Sequence, residues 1–258
     1  MNIHLLVVDG LNFIRRMYAA QPGEDGPERV AGTLSASLQS LARALRNADP
    51  THAVAVFDGE GRGWRHELYS DYKAGRDPMP SHLADSLPAF RAAFSEEAGV
   101  GNILIERVEA DDIIATLADG IAQRGGLVTI LSTDKIFIQL LSDRITLRDH
   151  FSRRDIDSDT VKTKYGVEPE RFVDLLALAG DPTNNIPGVP SVGRKTAARL
   201  IATIGPLDDI LAVAHTIPGR TGEMISHHAD AARLARRLVS LRTDLQLGVN
   251  LRSFRLEK

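Results

Sequence analysis

The sequence predicts an α/β fold: a mostly parallel sheet flanked by helices, followed by an all-helical C-terminal part. Two observations carry this. Short apolar runs of three to six residues recur up to about residue 150, and stretches with apolar residues at three- and four-residue steps lie between them. After about residue 165 the strand signal stops. Strands alternating with helical crossovers argue for a parallel sheet.

The first strand is predicted over 3–8, and a helix follows with Val30, Leu34, Leu38, Leu41 and Leu45 on one face. Strands over 53–57 and 102–106 come next, with a helix near 81–97 between them. Pro78-Met79-Pro80 marks a local break ahead of that helix. Ile113, Ile114, Leu117 and Ile121 repeat at helical spacing, and strands over 128–131 and 145–147 close the series. The chain then divides into 1–165 and 166–258. In the second part Phe172, Leu175, Leu176 and Ala179 line one face of a helix over 169–179. A Gly- and Pro-rich turn leads to another helix near Arg194, with Ala197, Ala198, Leu200 and Ile201.

Composition narrows the function. The chain has 258 residues, 43% of them apolar, and a net charge of −3, as in soluble globular proteins. It has no cysteine, which excludes thiol catalysis, disulfides and cysteine-type zinc sites and fits an intracellular protein. No apolar run approaches the roughly 20 residues of a membrane span, so a cytoplasmic location is expected. Residues 166–258 hold 12 basic and 10 acidic side chains, whereas the remainder holds 19 and 24. This suits carboxylates around cations in one region and phosphate contacts in the other.

The acids fall at the ends of strands. Asp9 ends the first and Asp58 the second; Glu109, Asp111 and Asp112 open the helix after the third; Asp134 follows the fourth. Ligands of open parallel sheets gather outside the carboxyl ends of strands. Six acids on one edge repel one another unless cations compensate. The donors are all oxygens, which favours Mg²⁺, with Mn²⁺ as a substitute, over Zn²⁺. Such ions promote phosphodiester hydrolysis. Each acid alone has an ordinary explanation: Asp-Gly turns at Asp9 and Asp58, helix-dipole partners at Asp111 and Asp112, an N-cap at Asp134. The joint placement favours the metal site.

The motifs resemble those of the bacterial 5′-nuclease and flap endonuclease family. They are Val8-Asp9-Gly10 with Arg16, Ala55-Val56-Phe57-Asp58, Asp71-Tyr72-Lys73-Ala74-Gly75-Arg76, Glu109-Ala110-Asp111-Asp112, Ser132-Thr133-Asp134-Lys135, and Ile186-Pro187-Gly188-Val189 leading to Gly193-Arg194-Lys195-Thr196-Ala197. The resemblance spans essentially the whole chain. It implies a PIN-like, Rossmann-like core with a helical arch near 70–97 and a C-terminal helix-three-turn-helix module. It implies a first metal site of Asp9, Asp58, Glu109, Asp111 and Asp112, with Asp134 bordering a second. Lys73 and Arg76, at the base of the arch, would act as catalytic helpers on the scissile phosphate, and Tyr72 would stack on an unpaired base. Ser191, Val192, Gly193, Arg194, Lys195 and Thr196 would grip duplex phosphates. The resemblance also implies K⁺ held by the backbone carbonyls of Leu178, Ala179, Pro187, Val189 and Val192.

Three residues depart from the family pattern. Ile136 stands where a second acid follows Asp134-Lys135, and Asn184 replaces an acid after Asp181. The second metal site is thereby left with Asp134 and Asp181 and should hold its ion weakly. Ser191 replaces a turn glycine, which is strained if the turn needs a positive φ.

The expected activity is structure-specific, metal-dependent cleavage of branched DNA at 5′ flaps, in replication or repair, by a monomer. One alternative is a DNA-junction-binding protein whose nuclease activity has faded with the second metal site. Another is a PIN-type ribonuclease, against which the long C-terminal module argues. Trp64, His66, His227 and His228 are assigned packing or surface roles, and Arg233, Arg236 and Arg237 a solvated face.

Overall fold

Apolar runs become strands because alternate side chains can be buried on opposite faces of one sheet. In the computed structural model, which describes residues 3–257, the strands are β1 (His4–Asp9), β2 (His52–Phe57), β3 (Gly101–Leu104), β4 (Leu127–Leu131), β5 (Ile145–Asp149) and β6 (Arg154–Ile156). Their order is β3-β2-β1-β4-β5-β6. The first five are parallel, and β6 runs antiparallel to β5. Both β2 and β4 flank β1, with Val8 opposite Ala55 on one side and Leu131 on the other. The carboxyl ends of the three central strands are therefore level, at the point where strand order reverses.

Leu5, Val7, Val54 and Val56 face one core with Ile113 and Ile114; Leu6, Val8, Ala53 and Ala55 face the other with Phe13, Ile14, Leu41, Phe90 and Phe94. Burial on both faces explains why the strands read as continuous apolar runs. The helices of this part are α1 (Gly10–Ala20), α2 (Pro27–Ala48), α3 (Trp64–Leu68), α4 (Ser81–Glu96), α5 (Ala110–Gln123) and α6 (Ser158–Tyr165). The segment expected as the arch forms a turn at 70–75, a stretch without regular structure and α4. Leu83, Phe90 and Phe94 of α4 are buried in the second core.

Two expectations about elements change. The third strand stops at Leu104, and the short polar β6, which has no apolar alternation to announce it, extends the sheet.

The C-terminal part contains α7 (Phe172–Ala179), α8 (Arg194–Thr203), α9 (Leu207–Ala212), α10 (Arg220–His227) and α11 (Ala229–Val239). Residues 169–171 form a 3₁₀ turn ahead of α7. Gly180 (φ +79°) and Gly188 let two loop segments meet, since a Cβ on either would collide with the other's backbone. Beyond α11 the chain returns to the sheet, where the Leu256 amide donates to the Thr51 carbonyl at 3.1 Å. Among the described residues no helix is long and apolar enough to cross a membrane.

Candidate active site

The carboxyl ends of β1, β2 and β4 place Asp9, Asp58 and Asp134 on one edge, and the start of α5 adds Asp111. Asp9 is fixed by two donors: Ser132 Oγ at 2.7 Å and the Asn12 amide at 3.3 Å, the latter capping α1. Asp58 accepts from the Ala110 amide at 2.7 Å, which ties β2 to the first turn of α5. Asp134 accepts from the Ile136 amide at 2.9 Å and caps the following 3₁₀ turn. The ordinary capping roles are thus present at Asp9 and Asp134 alongside their shared location.

Electrostatics adds what capping does not explain. Burial, with the nearby charges of Asp134 and Asp58, pushes the Asp9 carboxyl up to about 7. Burial, Asp134 and Asp9 raise Asp111 well above the ordinary carboxylate range, against the pull of Lys73. Four acids therefore share one unfavourable field. Among the described residues no three carboxylate or imidazole groups stand together as a finished metal cage. An all-oxygen donor set with uncompensated negative charge nevertheless fits a hard divalent cation.

Glu109 and Asp112 have different surroundings. Glu109 accepts from Lys73 Nζ at 2.5 Å and from Arg65 Nη1. Burial would raise its pKa, but these two cations hold it below the ordinary value. Asp112, expected as a metal ligand, is 0% exposed, and four donors occupy its oxygens. They are Arg65 Nη1 (2.8 Å), Arg65 Nη2 (2.7 Å), Trp64 Nε1 (2.8 Å) and the Arg242 amide (3.0 Å). Its carboxylate is a buried counter-ion for Arg65 here, with no face left toward the cleft. Arg65 also donates to the carbonyls of Leu238 and Ser240, at 2.8 and 3.0 Å. All five guanidinium hydrogens are thereby used.

The acids expected at the second metal site are also rearranged. Asp181, 1% exposed, pairs with Lys135 Nζ at 2.6 Å and accepts from Asn184 Nδ2 at 2.7 Å. Asn184 Oδ1 in turn accepts from Arg76 Nη2. A lysine ammonium and an amide compensate Asp181 in this structure. Ile136, in place of the missing acid, is buried in the apolar core. Tyr72 departs from its expected stacking role: its ring is 4% exposed and sits edge-on to His66, with centroids 5.2 Å apart.

In the C-terminal turn the Val189 amide donates to Leu178 O at 2.8 Å, and the Val192 amide to Val189 O at 3.0 Å. Leu178, Val189 and Val192 are therefore neighbours. Each of the two accepting carbonyls keeps a second lone pair. Ser191 has φ +67°, so the turn does need a positive φ and the residue that replaces glycine there is strained. Ser191, Gly193, Arg194 and Lys195 are exposed where α8 begins.

Two family models match the chain: the 5′-3′ exonuclease N-terminal resolvase-like domain over residues 4–166, and the 5′-3′ exonuclease C-terminal SAM fold over 167–258. The chain belongs to the 5′-3′ exonuclease family. Relatives in this family include the flap endonuclease Xni of Photobacterium profundum, 43% identical over 99% of this chain and 98% of the relative. The flap endonuclease Xni of Aeromonas hydrophila is 44% identical, over 98% of this chain and 95% of the relative. Among solved structures, the bacteriophage T5 flap endonuclease, in a pseudo-enzyme-product complex with DNA and metal ions, superposes with a TM-score of 0.77. It is 22% identical, covers 92% of this chain and 88% of that chain, and shares the fold.

The sequence motifs alone assign no role to Asn12, Ser132 or Lys135. Asn12 Oδ1 accepts from the amide and hydroxyl of Thr133, at 3.1 and 3.0 Å, joining α1 to the loop after β4. Asn12 and Ser132 stood inside or beside the motifs and were the traceable ones. The partners of Arg65, up to 175 positions away, leave no local signal.

Proposed function

We propose that this protein is a structure-specific flap endonuclease: a metal-dependent hydrolase that cuts branched DNA near the base of a 5′ single-stranded flap. The observation that carries the reading is the shared electrostatic field of Asp9, Asp58 and Asp134, at adjoining strand ends, and Asp111, at the start of α5, with the Lys73 ammonium 2.5 Å from Glu109 beside them. Their excess negative charge suits Mg²⁺, or Mn²⁺ in its place. When bound, such an ion withdraws charge from phosphate oxygens and makes water a better nucleophile.

The chain's own residues hold and orient the reacting groups. Asp9, Asp58, Asp111 and Asp134 would hold the ion, with Glu109 supporting them through its place beside Lys73. Ser132 and the Asn12 amide aim the Asp9 carboxylate. Lys73 stays protonated: burial works against its charge, but Glu109, Tyr72, Asp111 and Asp58 together outweigh it and raise the pKa. Its ammonium neutralises charge that develops on the phosphate. Arg76 adds a second cation at the same turn. The start of α8, with Ser191, Val192, Gly193, Arg194, Lys195 and Thr196, holds the duplex through its phosphates without reading bases. The backbone carbonyls of Leu178, Ala179, Pro187, Val189 and Val192 would hold a K⁺ ion that steadies that turn. The working unit is a monomer.

The reading is tested with end-labelled DNA flaps, matched RNA flaps and unbranched duplex, each in Mg²⁺ and in EDTA. The expected result is cleavage near the branch of the DNA flap, in Mg²⁺ alone. Binding of the flap without cleavage would leave a junction-binding protein. Preferential cleavage of RNA would make it a ribonuclease.

A further inference from the structure

The turn carrying Lys73 and Arg76 is fastened to the loop between α7 and α8. The Lys73 amide donates to the Asn184 carbonyl at 2.9 Å. Asn185 Nδ2 donates to the Asp71 carbonyl at 2.7 Å. The Arg76 guanidinium donates to the Thr183 carbonyl at 3.2 Å and to Asn184 Oδ1. Lys73 has φ +57° and Asn185 φ +53°. Left-handed backbone at residues other than glycine persists where its surroundings over-determine it.

Asn184 is at the centre of this fastening. It is buried and uses three groups at once: its carbonyl toward Lys73, its side-chain oxygen toward Arg76 and its side-chain nitrogen toward Asp181. Only one orientation of the amide serves both side-chain neighbours, since a guanidinium needs an acceptor and a carboxylate needs a donor. An ionised carboxylate of the same shape accepts only, and would face the Asp181 carboxylate with like charge.

We propose that Asn184 is a positioning residue that clips the Lys73–Arg76 turn to the C-terminal helical part and so holds the Lys73 ammonium beside Glu109. The role belongs to a neutral amide and not to a metal ligand. The inference rests on the nuclease reading for its kinetic consequence. The clip itself is observable without catalysis.

The experiment compares the full chain with Asn184→Asp and Asn184→Ala. It measures kcat and KM on flap DNA at saturating Mg²⁺ from pH 5.5 to 8, the Mg²⁺ concentration for half-maximal rate, and amide hydrogen exchange across 71–76. In the alanine variant Asp181 keeps Lys135 as its partner, so this variant serves if Asn184→Asp does not fold. Both variants should exchange at least tenfold faster across 71–76 and lose about tenfold or more in kcat, with KM within about threefold. The activity of Asn184→Asp relative to the parent should recover as pH falls, because the introduced carboxyl regains a donor on protonation. Asn184→Ala should show no such recovery. Unchanged exchange across 71–76 in both variants would overturn the clip. So would an Asn184→Asp variant as active as the parent at a lower Mg²⁺ midpoint, because the introduced acid would then be serving as a ligand. If the parent protein cleaves no flap, the nuclease reading fails, and the exchange measurement still decides the clip.

Discussion

Asp9 ties stability to pH in a way that Mg²⁺ should reverse. Burial and the neighbouring acids push its carboxyl up to about 7 in the folded chain, against 3.8 for an exposed aspartate. Between these values the unfolded chain gives up the proton first. Raising the pH through this window therefore costs the metal-free fold stability, and above about 7 the loss is complete. In EDTA the thermal midpoint should fall from pH 4 to 7 by more in the parent than in Asp9→Asn, and Mg²⁺ should recover much of the loss. A pH slope unaffected by Asp9→Asn would count against the shared field. Ser191 gives a second prediction at this scale. Relief of its positive φ by Ser191→Gly gains roughly 1–2 kcal/mol, and the freer unfolded chain takes back about 0.4–1. Chemical denaturation should show a net gain of under about 2 kcal/mol. Both positions were legible beforehand, because strand-end acids and an odd residue in a glycine turn are local features. The fates of Asp112 and Tyr72 were not. A motif fixes a residue's place in the chain, but burial and partners decide where its side chain points.

At the scale of elements, Arg65 joins α3 to the start of α5 and to the end of α11. Removing the guanidinium leaves Asp112 fully buried with two of its donors gone. The loss of one partner of a buried pair costs about 3–5 kcal/mol, so Arg65→Met should lower the denaturation free energy by that order. The double variant Arg65→Met with Asp112→Leu should recover part of it, since no lone buried charge remains. No recovery in the double variant would mean that the carbonyl contacts of Arg65 dominate. The strands β1, β2 and β4 were visible as apolar runs because both faces of the sheet are covered. In the three-residue β6, Arg154 and Asp155 are exposed and only Ile156 is half-buried, so its pairing with β5 depends on a neighbour and not on its own pattern. The region expected as a second metal site was half legible: Ile136 and Asn184 announce the missing acids, but the turn of Lys135 toward Asp181 is a tertiary event.

Across the whole molecule, the chain beyond α11 returns to the sheet edge. Phe254 is buried against Gly101 of β3, and Leu256 bonds to Thr51 just before β2. Phe254→Ala should cost about 3–5 kcal/mol, with faster hydrogen exchange in β2 and β3 although the substitution lies in the C-terminal part. Unchanged exchange in those strands would show that the returning segment adds little to the sheet. The fold as a whole places acids at one end of a parallel sheet and an exposed cationic helix start in the C-terminal part. The most direct test of that arrangement is Mg²⁺-dependent cleavage of a labelled 5′-flap DNA by the parent protein and by Asp111→Asn, with flap binding measured in parallel. Loss of an outer-shell partner of a metal costs about 10–100-fold, so loss of a direct ligand should cost at least a hundredfold in rate while binding persists. Equal cleavage by the two proteins would contradict a metal-holding role for Asp111, and with it the account of the acidic edge as the active site.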